Sequence, residues 1–525
     1  MKMKIKILDC TLRDGGYVNN WNFGNNLTKK MLISIDKSGI EYTEVGFLQD
    51  SEYNIEKTIF NEIKQINNII PESIDLTTKV AAMIVYGKFS EEKIVAKNEN
   101  IKLDTIRVTL KNNEINIALN YLKKIIACGY RLFVNPTNIE SYSDIEILSI
   151  IDKVNMLHPY GFSIVDTNGV LKEKDIIRLA CLIDNNLNKD IKLCFHSHNN
   201  LQLSFSNAQS LIKACRDREL IIDSTVFGMG RGAGNLCTEL ITQYINDNYN
   251  GHYDIVPILK IIDEQINPIF AKTPWGYSVP YYLAATNHCH PNYAKYLVDK
   301  QTVPVEIINE LLKTIPNNKK ATYDANLIKQ IYLDNFSKNI DDSFVVEELK
   351  QKLKNKNILI MAPGKTLSKE KDKIENFIKS HKPYILSLNF IPKEYNVDMT
   401  FISNIKRFSS LDDYDKPMLV TSNIENIPQK ANVLNYSTYL NNSKMYDNTA
   451  LMCLKLLINV GIKEVYIVGL DGFSNIQTEN YVSNELINNA KENEFDERNT
   501  IMSEELKNIS KDIRLNFITK TEYLI

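Results

Sequence analysis

Eight short runs rich in β-branched and apolar residues recur through the first part of the chain, separated by longer segments of helical periodicity. Their starting points are about 31 residues apart on average and lie near Ile5, Tyr42, Lys79, Thr105, Arg131, Phe162, Lys192 and Asp223. Parallel strands require crossover connections, and eight such units can close on themselves. The pattern therefore predicts a (β/α)8 TIM barrel.

The composition is that of an ordinary globular chain and excludes several classes of partner. Of the 525 residues 44% are hydrophobic, and 62 Lys+Arg nearly balance 64 Asp+Glu. Without a basic block or a run of 18 apolar residues, we expect no nucleic-acid partner and no membrane span. The eight cysteines form no C-x-x-C pair, which is typical of reduced cytoplasmic thiols. We expect a soluble, unexported, cytoplasmic protein, and a homo-oligomer is compatible with this composition.

The remainder of the chain divides into three further segments. Helical patterns continue the barrel pattern to about residue 300, which predicts a barrel with a helical extension over 1–300. A lysine- and asparagine-rich stretch predicts a helical linker over 301–356. From 357 to 525, strand-like runs again alternate with helical segments, which is typical of a doubly wound, Rossmann-like α/β domain.

Polar residues concentrate where the predicted barrel strands end, which is the edge that carries the chemistry of such barrels. These residues are Arg13 and Asp14 after the first strand, Glu44 in the second, Arg107 in the fourth, Thr167 after the sixth, His196 and His198 after the seventh, and Asn235 after the eighth. We expect an active site at this edge, with Glu44 and Arg107 binding the substrate.

The His196-Ser197-His198 spacing predicts half of a metal site. Residues two apart on a strand project from the same face, so the two imidazoles point together. Asp14 follows the first strand, which lies beside the eighth in a closed barrel. Asn235 follows the eighth strand, and the seventh strand, which carries the histidines, is the next neighbour. One carboxylate, two imidazoles and an amide oxygen suit a divalent ion, Mn²⁺ or Mg²⁺ before Zn²⁺. A hydrogen-bonded core histidine pair is the alternative interpretation.

Arg13 and the glycine run from Gly228 to Gly234 each allow two interpretations. A guanidinium beside a metal-binding Asp14 could stabilise an enolate oxygen, or it could form only a structural salt bridge. The glycine run contains G-x-G spacing but follows the eighth barrel strand and lacks the acidic ribose partner of a dinucleotide motif. We interpret it as a tight turn that places Asn235.

Together the motifs Asp9-x-Thr-Leu-Arg13-Asp14-Gly, His196-x-His198 and Gly230-x-Gly-Ala-Gly-Asn235 resemble those of the DRE-TIM metallolyases, the superfamily that includes HMG-CoA lyase-like enzymes. Within it, the likeness over about residues 4–300 is greatest to 4-hydroxy-2-oxovalerate aldolases. The resemblance implies a metal held by Asp14, His196 and His198 with Asn235, a pyruvate enolate stabilised by Arg13, and a substrate facing Thr167.

Two departures from that family bear on the chemistry. Its aldolases carry a histidine base three residues after the metal aspartate, where this chain has Tyr17. The general base therefore stays open among Tyr17, Tyr277, and His290 or the neighbouring His288. The Gly-x-Gly-Glu-Arg pattern of acyl-CoA-using synthases is absent from the sequence, which favours aldol over Claisen chemistry.

The C-terminal segment resembles bacterial sialyltransferases and motility accessory factor-like domains. The matching features are the small-residue turn at Gly364 and Lys365, Asn389 at the end of a strand, and the strand end from Gly469 to Asp471. The resemblance implies that these residues bind a nucleotide or nucleotide sugar, and backbone N–H groups at the first turn could hold a phosphate. A simple βα turn is the alternative. The C-terminus lacks the histidine base of the sialyltransferases, which puts glycosyl transfer in doubt.

These observations favour a divalent-metal-dependent aldolase that acts on pyruvate, or a similar 2-oxo acid, and an aldehyde. The fused domain suggests a sugar-like aldehyde of surface polysaccharide biosynthesis, and a transferase-like second activity. Two alternatives are an acyl-CoA-dependent Claisen condensing enzyme and a non-catalytic nucleotide-sensing protein.

Overall fold

A computed structural model describes residues 4–72, 75–215, 217–411, 417–441, 445–483, 486 and 492–524. The chain forms two compact units. The first comprises Met1–Asn292 and Asn317–Tyr323, and the second comprises Tyr293–Pro316 and Asp324–Ile525. Among the described helices, none combines the length and the apolar character needed to cross a membrane.

The first unit is a closed barrel of eight parallel strands with one short accessory strand. The strands are β1 (Ile5–Asp9), β2 (Tyr42–Leu48), β3 (Ile59–Phe60), β4 (Lys79–Val85), β5 (Thr105–Leu110), β6 (Arg131–Pro136), β7 (Gly161–Asp166), β8 (Lys192–Ser197) and β9 (Leu220–Ser224). They pair in the order β1-β9-β8-β7-β6-β5-β4-β2, and pairing of β1 with β2 closes the barrel. The two-residue β3 adds to the end of β2.

Helices surround this barrel and continue beyond its last strand. The α-helices are Gly16–Asn19, Asn25–Lys37, Ile115–Ala127, Asp144–Leu157, Glu173–Asn186, Ser204–Ala214, Thr238–Tyr249, Val256–Ile261, Asn267–Lys272, Val279–Thr286 and Asn317–Lys320. A π-helical turn covers Thr11–Gly15, and another covers Ile262–Ile266. Short 3₁₀ turns cover Ile63–Ile69, Glu91–Lys93, Asn112–Glu114, Ile139–Ser141 and Val226–Gly228.

Two hydrophobic clusters hold the barrel together. The larger lies between the strands and the surrounding helices, as expected for parallel strands that are buried on both faces. The smaller contains Tyr42 of β2 and Phe133 of β6, whose ring centroids are 6.1 Å apart. Because two strands separate β2 from β6 on one side and four on the other, this contact crosses the barrel, and the cluster fills its interior.

The predicted strand positions agree with the structure, but two predicted features differ. The eighth barrel strand begins at Leu220 rather than at Asp223, so Asp223 is its fourth residue. The crossovers after β2 and β4 contain only 3₁₀ turns among their described residues, rather than α-helices. In the first of these crossovers the β3 strand replaces part of the helical layer.

The second unit contains a seven-stranded parallel sheet. Its strands are β10 (Ile358–Met361), β11 (Tyr384–Leu388), β12 (Met399–Ile402), β13 (Met418–Thr421), β14 (Asn432–Leu434), β15 (Glu464–Val468) and β16 (Arg514–Phe517). They pair in the order β14-β13-β12-β11-β10-β15-β16. The order reverses between β10 and β15, and ligands of open α/β sheets bind at such a reversal, outside the carboxyl ends of the strands.

The helices of the second unit include most of the segment predicted as a linker. They are Pro291–Lys300, whose first two residues belong to the first unit, Val305–Lys313, Ala325–Phe336, Ser343–Leu353, Thr366–Lys369, Lys371–His381, Ile405–Phe408, Tyr436–Tyr439, Thr449–Asn459 and Glu492–Ile509, with a 3₁₀ turn at Gln477–Glu479. Tyr332 and Phe336 are buried in this unit, and the Asn435 N–H donates to Asp342 over 2.8 Å. The segment 301–356 thus differs from the predicted linker because its apolar helix faces pack into the second unit.

Candidate active site at the carboxyl ends of the barrel strands

The carboxylate of Asp14 and the imidazoles of His196 and His198 lie together at the ends of β1 and β8. Their ligand atoms lie within 4.8 Å of one another, and Nε2 of His196 is 3.2 Å from Oδ2 of Asp14. The imidazole rings have centroids 5.3 Å apart and are nearly perpendicular, at 89°. The three side chains therefore converge on one point, as the H-x-H spacing predicts.

Asn235 reaches the same place from the loop after β9. A backbone bridge pairs Asn235 with His198, and a side chain at Gly230 would collide with the Asn235 amide. The glycine run is thus a tight turn that brings Asn235 beside β8. Oδ1 of Asn235 and Oδ1 of Asp14 are buried and have no hydrogen-bond partner among the described residues. Such oxygens are costly to bury unless they accept a hydrogen bond or contact a cation, and this set of oxygen and nitrogen donors fits a divalent ion.

The electrostatics of these groups also favour a cation. Burial opposes ionisation of Asp14, but Arg13 and the two histidines hold its pKa well below the usual range. Burial lowers the pKa of His198 to about 3, so this imidazole is neutral and its lone pair can bind a metal. Hydrogen bonds to Asp14 and Asp223 outweigh burial and raise the pKa of His196. A metal at His196 would displace that proton.

The π-helical turn after β1 positions Arg13 and Asp14. All five residues of Thr11–Gly15 are buried, and the Cys10 carbonyl accepts from the N–H groups of Arg13 and Asp14 over 3.1 and 2.8 Å. The Trp21 indole donates to the Arg13 carbonyl over 2.8 Å. Such wide turns occur frequently at functional sites. Here the turn aims consecutive cationic and anionic side chains at one site.

A buried network of charges, formed by Arg13, Glu44 and Arg107, lies beside Asp14. Arg13 donates from Nε to Glu44 over 2.7 Å and pairs through Nη1 with Asp14. Nη1 of Arg107 lies 3.3 Å from the same Glu44 oxygen. Arg107 and Glu44 are fully buried, so they hold other site residues in place, and their predicted role in binding substrate stays a prediction. Nη2 of Arg13 makes no hydrogen bond to a described residue and is available to a ligand.

Asp223 connects this network to His196, and the strand-end pattern in the sequence does not identify it. Its Oδ2 lies 2.5 Å from Nη2 of Arg107 and 3.1 Å from Nδ1 of His196. The signal in the sequence is one acidic residue inside the apolar strand Leu220–Ser224. Asp223 therefore orients His196 and compensates the Arg107 charge.

Thr167 lies at the end of β7, but its hydroxyl oxygen has a structural partner. It accepts from the Asn138 N–H over 2.7 Å, which links the loops after β6 and β7. Its predicted contact with substrate stays a prediction.

The three candidates for the general base differ in their surroundings. Partial burial and Asp14 raise the pKa of the Tyr17 phenol, which remains 44% exposed. Tyr277 is 59% exposed and contacts the ring of Tyr282. His290 lies beside Arg231, and its Nδ1 accepts from the Asn292 N–H over 3.2 Å. His288 is exposed. The Asp14 carboxylate thus acts on the phenol of Tyr17.

In the second unit, Gly364, Asn389, Gly469 and Asp471 line a cavity of about 550 Å³ at the carboxyl ends of β10, β11 and β15. Lys365 is not among its lining residues. Asn389 donates to Thr449 over 2.5 Å and accepts from the Ser403 N–H over 3.1 Å. Its amide is therefore already bonded within the protein.

The turn at Gly364 does not provide the phosphate cradle that we expected. The Gly364 N–H donates to the Gly469 carbonyl over 2.8 Å, and the Thr366 N–H donates to the Asp471 carboxylate over 2.7 Å. A side chain at Gly364 would collide with Gly469 and Asp471. Glycine is thus required for the approach of β10 to β15, and Asp471 already occupies the helix start where a phosphate would bind.

Comparisons with known proteins agree with the geometry of the barrel. Residues 4–262 match the family described as HMGL-like. A 4-hydroxy-2-oxovalerate aldolase from Bacillus cereus is 24% identical over 279 residues, which are 50% of this chain and 76% of that protein. An oxaloacetate decarboxylase from Mycobacterium tuberculosis is 21% identical over 281 residues, 52% of this chain and 79% of that protein.

A solved structure, the N-terminal domain of a candidate aldolase from Bacteroides vulgatus, is similar to this chain with 27% identity and a TM-score of 0.48. The match covers 56% of this chain and 96% of that domain. Residues 4–262 thus match the HMGL-like family, and the aldolase relatives of this region support a metal-dependent carbon–carbon lyase.

Proposed function

We propose that the barrel makes or cleaves a carbon–carbon bond between pyruvate, or a similar 2-oxo acid, and an aldehyde. The observation that carries this proposal is the convergence of Asp14, His196 and His198 with the unpartnered oxygen of Asn235, beside the guanidinium of Arg13. These residues would hold Mn²⁺ or Mg²⁺. When bound, the ion would act as a Lewis acid toward the 2-oxo acid.

Arg13 would offset the negative charge that develops on the keto oxygen when the 2-oxo acid becomes an enolate. Glu44 and Asp14 fix two sides of the guanidinium, which leaves Nη2 for the substrate. A preorganised donor of this kind needs no reorganisation during the reaction.

Tyr17 is the side chain that we propose moves the hydroxyl proton of the aldol. It follows Asp14 by three residues, and Asp14 and Arg231 both influence the pKa of its phenol. Burial and, after it, Asp14 raise this pKa, so a cation that neutralises Asp14 would remove the second cause and favour proton transfer by the phenol.

For the second unit, we propose that the cavity at the ends of β10, β11 and β15 binds a nucleotide or nucleotide sugar. This proposal is supported by the position of the cavity, which lies where the strand order of the sheet reverses. Since Asp471 occupies the Gly364 turn, a charged group of the ligand would instead meet cationic residues of the lining such as Arg498. The fusion of both units supports a sugar-like aldehyde of surface polysaccharide biosynthesis.

Two assays separate the aldolase from its alternatives. Exchange of pyruvate methyl protons in deuterated water, dependent on divalent metal, supports the aldolase, whereas thiol release from acetyl-CoA supports a Claisen enzyme. Calorimetry of the full chain with CMP, UDP and GDP tests the second cavity. We expect Arg498→Ala to weaken that binding at least tenfold and Lys365→Ala to leave it unchanged; no heat with any nucleotide would contradict the proposal.

A further inference from the structure

Arg231 lies at the mouth of the barrel site between two of the base candidates. It follows Gly230 in the turn that places Asn235. Its guanidinium carbon lies 5.6 Å from the centroid of the Tyr17 ring, and its Nη1 lies 3.5 Å from Nε2 of His290. It also lies close enough to His198 to lower the pKa of that imidazole, although burial is the larger cause. Arg231 is therefore part of the same site as the metal cluster.

The Arg231 guanidinium lacks the carboxylate partners that the other two arginines of the site have. Arg13 pairs with Asp14 and Glu44, and Arg107 pairs with Glu44 and Asp223. Within the described part of the chain, no carboxylate oxygen lies within 4.0 Å of an Arg231 nitrogen. Because a guanidinium is always charged, partial burial without a partner is unfavourable until an anion binds.

The tautomer of His290 adds a second donor at this position. Nδ1 of His290 accepts from the Asn292 N–H over 3.2 Å, which places the ring proton on Nε2. Burial, with help from Arg231, lowers the pKa of His290 to about 4, so the ring is neutral. Its Nε2–H and the Arg231 Nη1–H then face each other as two donors. Such a pair lacks an acceptor, and an anionic oxygen bound to both would supply one.

The charge balance of the site supports the same conclusion. The carboxylates of Asp14, Glu44 and Asp223 exceed the guanidiniums of Arg13 and Arg107 by one negative charge. A divalent ion leaves one positive charge, and the carboxylate of a 2-oxo acid cancels it. The charge of Arg231 is not needed for this balance and is available for a second anionic group.

We infer that Arg231 and His290 bind an anionic group, a phosphate or a carboxylate, carried by the aldehyde substrate. This inference rests on the proposed aldolase function and names its second substrate class: an aldehyde with a terminal anion, rather than a neutral one. His290 is then an anion-binding residue rather than the general base.

The binding test uses the full-length protein with Mg²⁺ and saturating pyruvate, titrated calorimetrically with inorganic phosphate and, separately, with acetate. We expect at least one anion to bind, and Arg231→Gln to weaken its binding at least tenfold, since charge-assisted bidentate contacts are lost. Arg231→Lys should give an intermediate loss because it keeps the charge. Arg178→Gln removes an exposed arginine of the helix Glu173–Asn186 and is the matched control, with no change expected.

The kinetic test compares glycolaldehyde phosphate with glycolaldehyde, and succinic semialdehyde with butanal, as partners of pyruvate. In the wild type, kcat/KM should favour an anionic aldehyde at least tenfold, and Arg231→Gln should remove that preference mainly through KM. A preference for glycolaldehyde phosphate over glycolaldehyde identifies the anionic group as a phosphate. A preference for succinic semialdehyde over butanal identifies it as a carboxylate. Equal anion binding by wild type and Arg231→Gln, or no anion binding by the wild type, would overturn the inference. If the wild type does not exchange the methyl protons of pyruvate at all, that result would instead contradict the proposed function.

Discussion

His196 donates through Nδ1 to the carboxylate of Asp223, over 3.1 Å, while its Nε2 faces Asp14 at 3.2 Å. An ionised carboxylate can only accept, so this contact fixes the imidazole tautomer and leaves Nε2 for a metal once its proton is displaced. Asp223 also binds Arg107, and one carboxylate therefore orients His196 and neutralises a buried cation.

Asp223→Asn should weaken metal binding by about 10- to 100-fold, the usual effect of removing a partner of a ligating histidine. The asparagine keeps the size of the side chain but loses the negative charge that holds the His196 Nδ1–H. Competition with a metallochromic indicator measures the dissociation constant for Mn²⁺. A dissociation constant that stays within twofold of the wild-type value would show that Asp223 stabilises Arg107 without affecting metal binding.

Replacement of His196 or His198 with alanine should remove most of the bound divalent ion while the barrel stays folded. Catalytic metals contribute less to folding than structural ones, because the hydrophobic clusters of the barrel do not depend on them. Mass spectrometry measures the metal content, and circular dichroism shows whether the barrel stays folded. His252→Ala, at an exposed position of the same unit, is the control. Full occupancy in His198→Ala would rule out the metal site.

Arg13→Lys should abolish pyruvate proton exchange with little change in metal content. The lysine keeps a positive charge but cannot contact Glu44, Asp14 and the substrate oxygen together, as the guanidinium does. NMR of the pyruvate methyl group follows the exchange. Undiminished exchange in Arg13→Lys would show that Arg13 only forms a structural salt bridge.

Much of the barrel site was predictable from local patterns, whereas its supporting residues were not. The H-x-H spacing and the polar ends of strands identify His196, His198 and Asp14, because these depend on strand periodicity alone. The role of Asp223 depends on which strand lies beside β8 and on a strand start three residues earlier than predicted. Arg231 looks like an ordinary loop residue until the turn brings it to Tyr17 and His290.

The second unit shows a different limit of sequence interpretation. The strands and the cavity-lining residues Gly364, Asn389, Gly469 and Asp471 agree with the pattern. The predicted phosphate-binding turn at Gly364 does not agree with the pattern. Its helix start is occupied by Asp471, which lies about 100 positions away in the chain. The helices Ala325–Phe336 and Ser343–Leu353 look like a linker because many of their exposed residues are charged or amide side chains, which conceals one apolar face on each.

Asp9 gives the barrel a predicted pH dependence of stability. Burial raises the pKa of this carboxyl group to about 6, although Thr11 and Thr238 donate hydrogen bonds to it. Its unfolded-state value is about 3.9. The folded state therefore binds the proton more tightly, and this stabilisation is complete below about pH 4 and is lost as the pH rises through about 6.

The measurement compares urea unfolding of the wild type and Asp9→Asn from pH 4 to pH 8. Because asparagine does not titrate, the free energy of unfolding of the wild type, relative to the variant, should fall by about 2 kcal/mol over this range. A difference that is constant with pH, or that grows with pH, would contradict the raised pKa.

Exchange of pyruvate methyl protons with deuterated water tests the central claim most directly, because it requires the metal ligands and Arg13 but no aldehyde. The wild type loaded with Mg²⁺ should exchange the methyl protons, and removal of the ion with a chelator should stop the exchange reversibly. Adding Mn²⁺ after chelation should restore the exchange, which is then measured in samples taken after the reaction has been quenched. Exchange that persists without any divalent ion, or its absence in the fully metal-loaded protein, would contradict the assignment of a metal-dependent aldolase.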